Sequence, residues 1–225
     1  MKNIVIVGAG GLGREVVWLI ERINQRTDEP WNILGFYDDG VEKGTWVQGF
    51  QVLGKVEQLL EIKDEINVVC AIGNAAIKYK LINLLKTNAS LKFPNLIDPS
   101  AVISDSGHMG IGNIICANVV ISVNTKLYDF ILVDWNSTVG HEACIESFVT
   151  LYPGVSVSGN TRIGMATELG TGSRIIQGKQ IGVNVLIGAG AVVISDIEDN
   201  CTAVGCPAKV IKYRDALKER EDCDE

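Results

Sequence analysis

Positive charge is what this chain has too little of. Acidic residues outnumber basic ones, 27 to 20, for a formal net charge of −7. No basic face is visible that would neutralise phosphates along a nucleic acid, which argues against nucleic-acid binding. Long apolar runs are also missing. The longest near the start, Ile4–Val7, has a strand's length, too short for a signal segment or a membrane span, so no membrane association and a cytoplasmic location are expected. The six cysteines (Cys70, Cys116, Cys144, Cys201, Cys206, Cys223) show neither metal-site nor disulfide-framework spacing. Buried free thiols in a reducing compartment are the expectation. Histidine is scarcest of all, with only His108 and His141.

What is present divides into two halves with different periods. Residues 1–95 read as alternating strands and helices. Ile4–Val7 is a β-branched strand, bounded by Gly8-Ala9-Gly10-Gly11-Leu12-Gly13. Arg14–Ile23 carries an apolar helical face at Val17, Leu19, Ile20 and Ile23. Ile33–Tyr37 and Val68–Ile72 read as further strands, Val56–Ile62 as a short helix and Ala76–Leu85 as another. The pattern implies a small, truncated α/β sheet of three or four mostly parallel strands, Rossmann-like in its first glycine turn.

From Ala101 the period becomes six. Stepping from Ile103 gives Met109, Ile115, Ile121, Leu127, Val133, Val139 and Ile145, then Leu151, Val157, Ile163, Leu169, Ile175, Ile181, Ile187 and Val193. All sixteen are apolar aliphatic positions, a run with a chance probability on the order of 10⁻⁵ in a chain that is about half apolar. Small residues usually stand two positions earlier. Such a period describes a solenoid whose every sixth residue fills the axis, three hexads to a triangular coil, over 96–212. A charged tail, 213–225, follows. A sandwich or propeller would show a period near two.

This half resembles the hexapeptide-repeat acyltransferases, and the glycine-rich amino-terminal half narrows the resemblance to the PglD-type nucleotide-amino-sugar N-acetyltransferases and the NeuD-type sialic acid O-acetyltransferases. The stretches that carry it are Val139-Gly140-His141-Glu142, Pro153-Gly154-Val155-Ser156-Val157-Ser158-Gly159-Asn160 and Gly205-Cys206-Pro207-Ala208-Lys209. The resemblance implies a left-handed parallel β-helix, a homotrimer, and acetyl transfer from acetyl-CoA to the amino group of a UDP-linked amino sugar. Sialic acid O-acetylation is the nearest alternative.

His141 is the candidate general base, since imidazole titrates near neutrality and acetyl transfer needs a group to take the nucleophile's proton. His108 has no matching motif. Glu142 resembles the family's acidic partner. Neighbours on a strand point to opposite faces, so it can touch His141 only if the chain turns there or another subunit intervenes. Cys144 reads as a bystander. The zinc carbonic anhydrases of the β-helix class need three histidines and this chain has two, so no metal is expected.

The glycine loop has two meanings. With Asp38-Asp39 further on, it fits a dinucleotide fingerprint and hence an NAD-dependent oxidoreductase. By resemblance it holds a UDP-sugar instead, with Gly10, Gly11 and Leu12 facing the ligand, Asp38 and Asp39 at its uracil or ribose, and Gly73 allowing close approach. A relic loop on a β-helix scaffold is a third, non-enzymatic reading. Thr150, Thr171 and Ala189 fall at the family's CoA-contacting positions, and Lys209 and Lys212 could meet CoA phosphates.

Overall fold

A computed structural model describes residues 1–217; Cys223 and most of the 213–225 tail lie outside the described residues. The amino-terminal half is a three-layer α/β unit. Its elements are β1 (Lys2–Val7), α1 (Gly11–Asn24), β2 (Trp31–Tyr37), β3 (Trp46–Val47), β4 (Phe50–Gly54), β5 (Ile66–Cys70), α2 (Ala75–Leu85) and β6 (Leu91–Lys92). The sheet order is β3-β4-β2-β1-β5-β6, parallel throughout except for the β3–β4 hairpin. The sheet is therefore larger than the three or four strands expected. The missed strands, β3, β4 and β6, are short or carry no apolar run. The expected helix at Val56–Ile62 is a 3-10 turn, Val56–Glu61. Alternation along β1 serves both layers: Ile4 and Ile6 pack under α1, Val5 and Val7 under α2.

The second half is the left-handed parallel β-helix, and all sixteen expected axial residues end two-residue strands, from Val102–Ile103 to Val192–Val193. From Leu96–Ile97 to Arg174–Ile175 each strand pairs in parallel with the strand eighteen residues on, as Ile114 with Leu132. That sorts them into three faces. The first runs from Leu96–Ile97 to Leu186–Ile187, the second from Val102–Ile103 to Val192–Val193, and the third from His108–Met109 to Gln180–Ile181. The coil thus begins one hexad before Ala101. Axial residues and the small residues two positions earlier, such as Ala143, Val155 and Ala191, form one continuous core. A further strand, Lys209–Tyr213, folds back antiparallel on Cys201–Val204 at the edge of the first face. Lys209 and Lys212 lie in this strand, within the expected 96–212, and the strand runs one residue past it to Tyr213.

The amino-terminal unit docks on the first face. Leu96, Ile114 and Leu132 share a buried cluster with α1, and Phe130, Phe148 and Ala166 share one with α2. Asp98 in the first coil receives Arg22 of α1 through two hydrogen bonds, 2.6 and 3.0 Å. Of the described cysteines, Cys70, Cys116 and Cys201 are buried, Cys144 is half-buried and Cys206 is exposed; all five are free thiols. Burial of the thiols as a class therefore fails at Cys206.

Candidate active site

His141 and Glu142 form the turn that joins the second face to the third. Glu142 has φ +59°, so the chain does turn there, and the carboxylate swings back to its neighbour: His141 Nδ1 lies 3.4 Å from Glu142 Oε2. The turns stack from coil to coil, with Glu142 N donating to Val123 O and Asn160 N to His141 O. At the positions matching Glu142, the adjacent coils carry Asn124 and Asn160, also left-handed. Asparagine tolerates that conformation and glutamate pays for it in strain. Glu142 is thus the strained member of this column, with its carboxylate beside the imidazole.

One coil further on, the imidazole rests directly on the Cα of Gly159. A Cβ there would collide with Nε2, Cε1 and Cδ2 of the ring. Gly159, quoted in the sequence only as part of the Pro153–Asn160 stretch and given no role there, thus seats the ring. The signal was available: it stands eighteen residues after His141, the length of one coil. His108 lies far up the third face against Tyr128, 6.2 Å between ring centres, and pairs with Lys126 in the adjacent coil.

The glycine loop occupies the carboxyl end of the sheet, where open α/β folds bind ligands. Gly13 lets α1 pack onto Gly8, whose carbonyl a Cβ would strike. Nothing approaches Gly10 or Gly11 within 4 Å of a built Cβ. Helix α1 starts with no side-chain cap and no acid in its first turn, which leaves its amides available to an anion. Leu12 packs half-buried towards Trp135 of the β-helix.

Asp38 is not free to read a base or ribose. Its Oδ2 accepts from Ala9 N at 2.7 Å and its Oδ1 from Gly40 N and Val41 N at 2.7 and 2.9 Å, so it shapes the loop. Asp39 is exposed, with Oδ1 taken by Val56 N at 2.9 Å, and remains the carboxylate accessible to a ligand. Gly73 lies at the junction of the two halves, its carbonyl accepting from Thr150 Oγ1 at 2.7 Å.

Thr150 corrects an expectation. Its side chain is fully buried (0% exposed), donating to Gly73 and accepting from Lys78 Nζ at 3.0 Å, with no surface left for a cofactor. Thr171 and Ala189, in contrast, are exposed and stacked in the turns between the first and second faces, Gly190 N donating to Thr171 O. They share a corner with Trp135 and Pro153, and it is a different corner from that of His141. Lys78 is 2% exposed, and burial, only partly offset by Cys70 and Glu168, pulls its pKa down to about 8. Among the described residues no group of acids, histidines and cysteines could hold a metal, and no helix is long and apolar enough to cross a membrane.

The chain is similar to known proteins in sequence and fold. Residues 3–85 match the PglD N-terminal domain. GDP-perosamine N-acetyltransferase of Escherichia coli O157:H7 is 32% identical over 180 residues, 77% of each chain. The chain belongs to the PglD-like sugar N-acetyltransferases. The acetyltransferase domain of PglB from Neisseria gonorrhoeae superimposes with TM-score 0.84 at 34% identity, over 94% of this chain and all of that one, and has also been seen with acetyl coenzyme A. PerB from Caulobacter crescentus, in complex with CoA and GDP-perosamine, gives TM-score 0.84 at 27% identity over 94% and 98% of the two chains. The protein is an acetyl-CoA-dependent sugar N-acetyltransferase, and the oxidoreductase and scaffold readings of the glycine loop fall away.

Proposed function

We propose that the protein acetylates the amino group of a nucleoside-diphosphate-linked amino sugar, with His141 as general base. The observation that carries this is the His141–Glu142 contact, seated on Gly159 at an open corner. The sugar's amine attacks the thioester carbonyl; His141 Nε2 takes the amine's proton as the tetrahedral intermediate forms; CoA departs and is reprotonated as a thiol. Glu142, beside Nδ1, favours the imidazolium that results. The Gly159 N–H donates no hydrogen bond among the described residues and is available to the developing oxyanion. The amides of α1 at Gly10–Leu12 take the diphosphate, and Asp39 the base or ribose.

The glycine loop and His141 lie at different corners of the coil, so one subunit's loop serves another subunit's histidine, as in a homotrimer. The second face supports this. It exposes Val102 (64%) and Val120 (42%), with Val123, Ile176 and Ile194 exposed along its margin, an apolar surface suited to self-association. Acetyl-CoA then lies between subunits, by Thr171 and Ala189. The free thiols fit a cytoplasmic location.

Uracil is the base in the reading from sequence; the relatives associated with GDP-perosamine favour guanine as a second reading. Acetyl-CoA consumption measured against UDP- and GDP-linked amino sugars and free sialic acid tests both. Turnover of a nucleotide amino sugar is expected, with binding of the matching diphosphate and none of NAD. Turnover of sialic acid alone would overturn the reading.

A further inference from the structure

The amino-terminal unit does not close its own crevice. The loop after β1 touches the loop after β5: a Cβ on Gly8 would lie 2.8 Å from Ile72 Cδ1 and 2.9 Å from Ala71 O. Against the second loop the β-helix presents Tyr152, whose phenolic oxygen and Cε1 would lie 3.5 and 3.6 Å from a Cβ on Gly73. The Tyr152 hydroxyl donates to Glu168 Oε2 at 2.9 Å. Glu168 Oε1 accepts from Asn74 Nδ2 and Ala75 N, both at 3.3 Å, where the positive end of α2 favours an anion. Glu168 is buried, whereas Tyr152 keeps part of its surface open.

Burial, and then the charge of Glu168, push the phenol's pKa up, so it stays protonated at neutral pH. Its one hydrogen is committed to a carboxylate that can only accept. What the phenol has left is its oxygen's lone pairs, so a ligand group meeting it must be a donor. A diphosphate on the amides of α1 leaves its sugar to cross towards the β5 loop and this oxygen. Sugar amines and hydroxyls are donors.

We propose that Tyr152 is a sugar-binding residue lent by the β-helix to the nucleotide crevice, accepting a hydrogen bond from an amino or hydroxyl group of the acceptor sugar, and that Glu168 is the positioning residue that fixes the phenol. This rests on the nucleotide-amino-sugar reading above.

The test is steady-state kinetics and calorimetric binding on the full chain, using the nucleotide amino sugar turned over best in the panel, with free UDP and GDP as probes of the nucleotide alone. Tyr152→Phe keeps the ring and removes the oxygen. It should raise KM for the sugar nucleotide about tenfold, the weight of one hydrogen bond, with kcat, KM for acetyl-CoA and Kd for the free diphosphate within about twofold of wild type. Glu168→Gln keeps an acceptor for the phenol and should cost less than Glu168→Leu, which should match Tyr152→Phe in KM. An unchanged sugar KM in Tyr152→Phe, with the wild type active, overturns the inference alone. So does an equal loss for the free diphosphate, which would make the phenol a prop for the loop. A wild type that acetylates no nucleotide amino sugar overturns the functional reading and this inference with it.

Discussion

The three faces of the β-helix follow one inward rule and three outward ones. On the first face five outward residues, Leu96, Ile114, Leu132, Thr150 and Glu168, are buried, the first three against the amino-terminal unit's apolar layer, and Leu186 is half-buried. On the second and third faces none of the corresponding places is buried: Val102, Val120, Thr138 and Arg174, and His108, Lys126, Arg162 and Gln180, are exposed, while Ser156, Val192 and Cys144 are half-buried. The axis makes a solenoid and is indifferent to what it meets; the outward residues decide what each face becomes. The first receives the amino-terminal unit, the second exposes Val102 and Val120, and the corner between second and third holds the imidazole. The left-handed turn residues obey the same division. Asparagine fills many of them, but Phe130 and Phe148 replace it where α2 packs, and Glu142 beside His141.

The sharpest way to break this contrast is to place one charge on each kind of face. Leu132→Asp buries an unpaired carboxylate in the docking layer, which costs several kcal/mol, and should lower Tm by more than about 10 °C or prevent folding. Val120→Asp should leave a folded chain that sediments as a monomer of about 24 kDa. Equal melting temperatures for the two variants would show that the faces do not differ.

Next in size are changes at the His141 corner, the proposed catalytic site. His141→Ala should lower kcat by roughly 10²–10⁴, the usual share of a general base, with acetyl-CoA binding retained. Gly159→Ala displaces the imidazole without removing it and should lower kcat by about 10–10², while Tm moves by no more than ~2 °C. Wild-type turnover in Gly159→Ala would mean that the ring's seat is irrelevant to catalysis.

The smallest effect is electrostatic and belongs to the docked face. Burial alone would raise the Asp98 carboxyl, but hydrogen bonds from Arg22 and Ser100 and the charge of Arg22 outweigh it and bring the pKa down to about 2, against 3.8 ordinarily. A folded value below the unfolded one means that the stabilisation is complete above about pH 4 and lost as pH falls towards 2. Melting curves from pH 5 to pH 2 should converge for wild type and Asp98→Asn at the acid end and separate above it. Parallel curves would remove Asp98 from the docking energetics.

Much of this was legible in the residues. The hexad register is intact because each axial position is filled independently by a short-range rule, and the His-Glu pair stood out through its resemblance to the family's motif. The size of the sheet was not legible: β6 is two residues long and β3 and β4 form a small hairpin, none with the apolar run that marks β1. Nor was the fate of Thr150 or Asp38. Their residue types suit ligand contacts, yet each is committed to backbone partners that are distant in sequence or reached through a turn.

The sequence by itself determined that there would be a coil, where its axis would lie and which residues could do acid–base chemistry, because those follow from a period and from residue type. Only the tertiary structure decided which face would be covered, that Glu142 reaches His141, that Gly159 seats the ring, and that Tyr152 borders a crevice belonging to the other half. Those depend on residues brought together across one coil or across the domain junction. Local periodicity carries no record of such contacts until the chain has closed on itself.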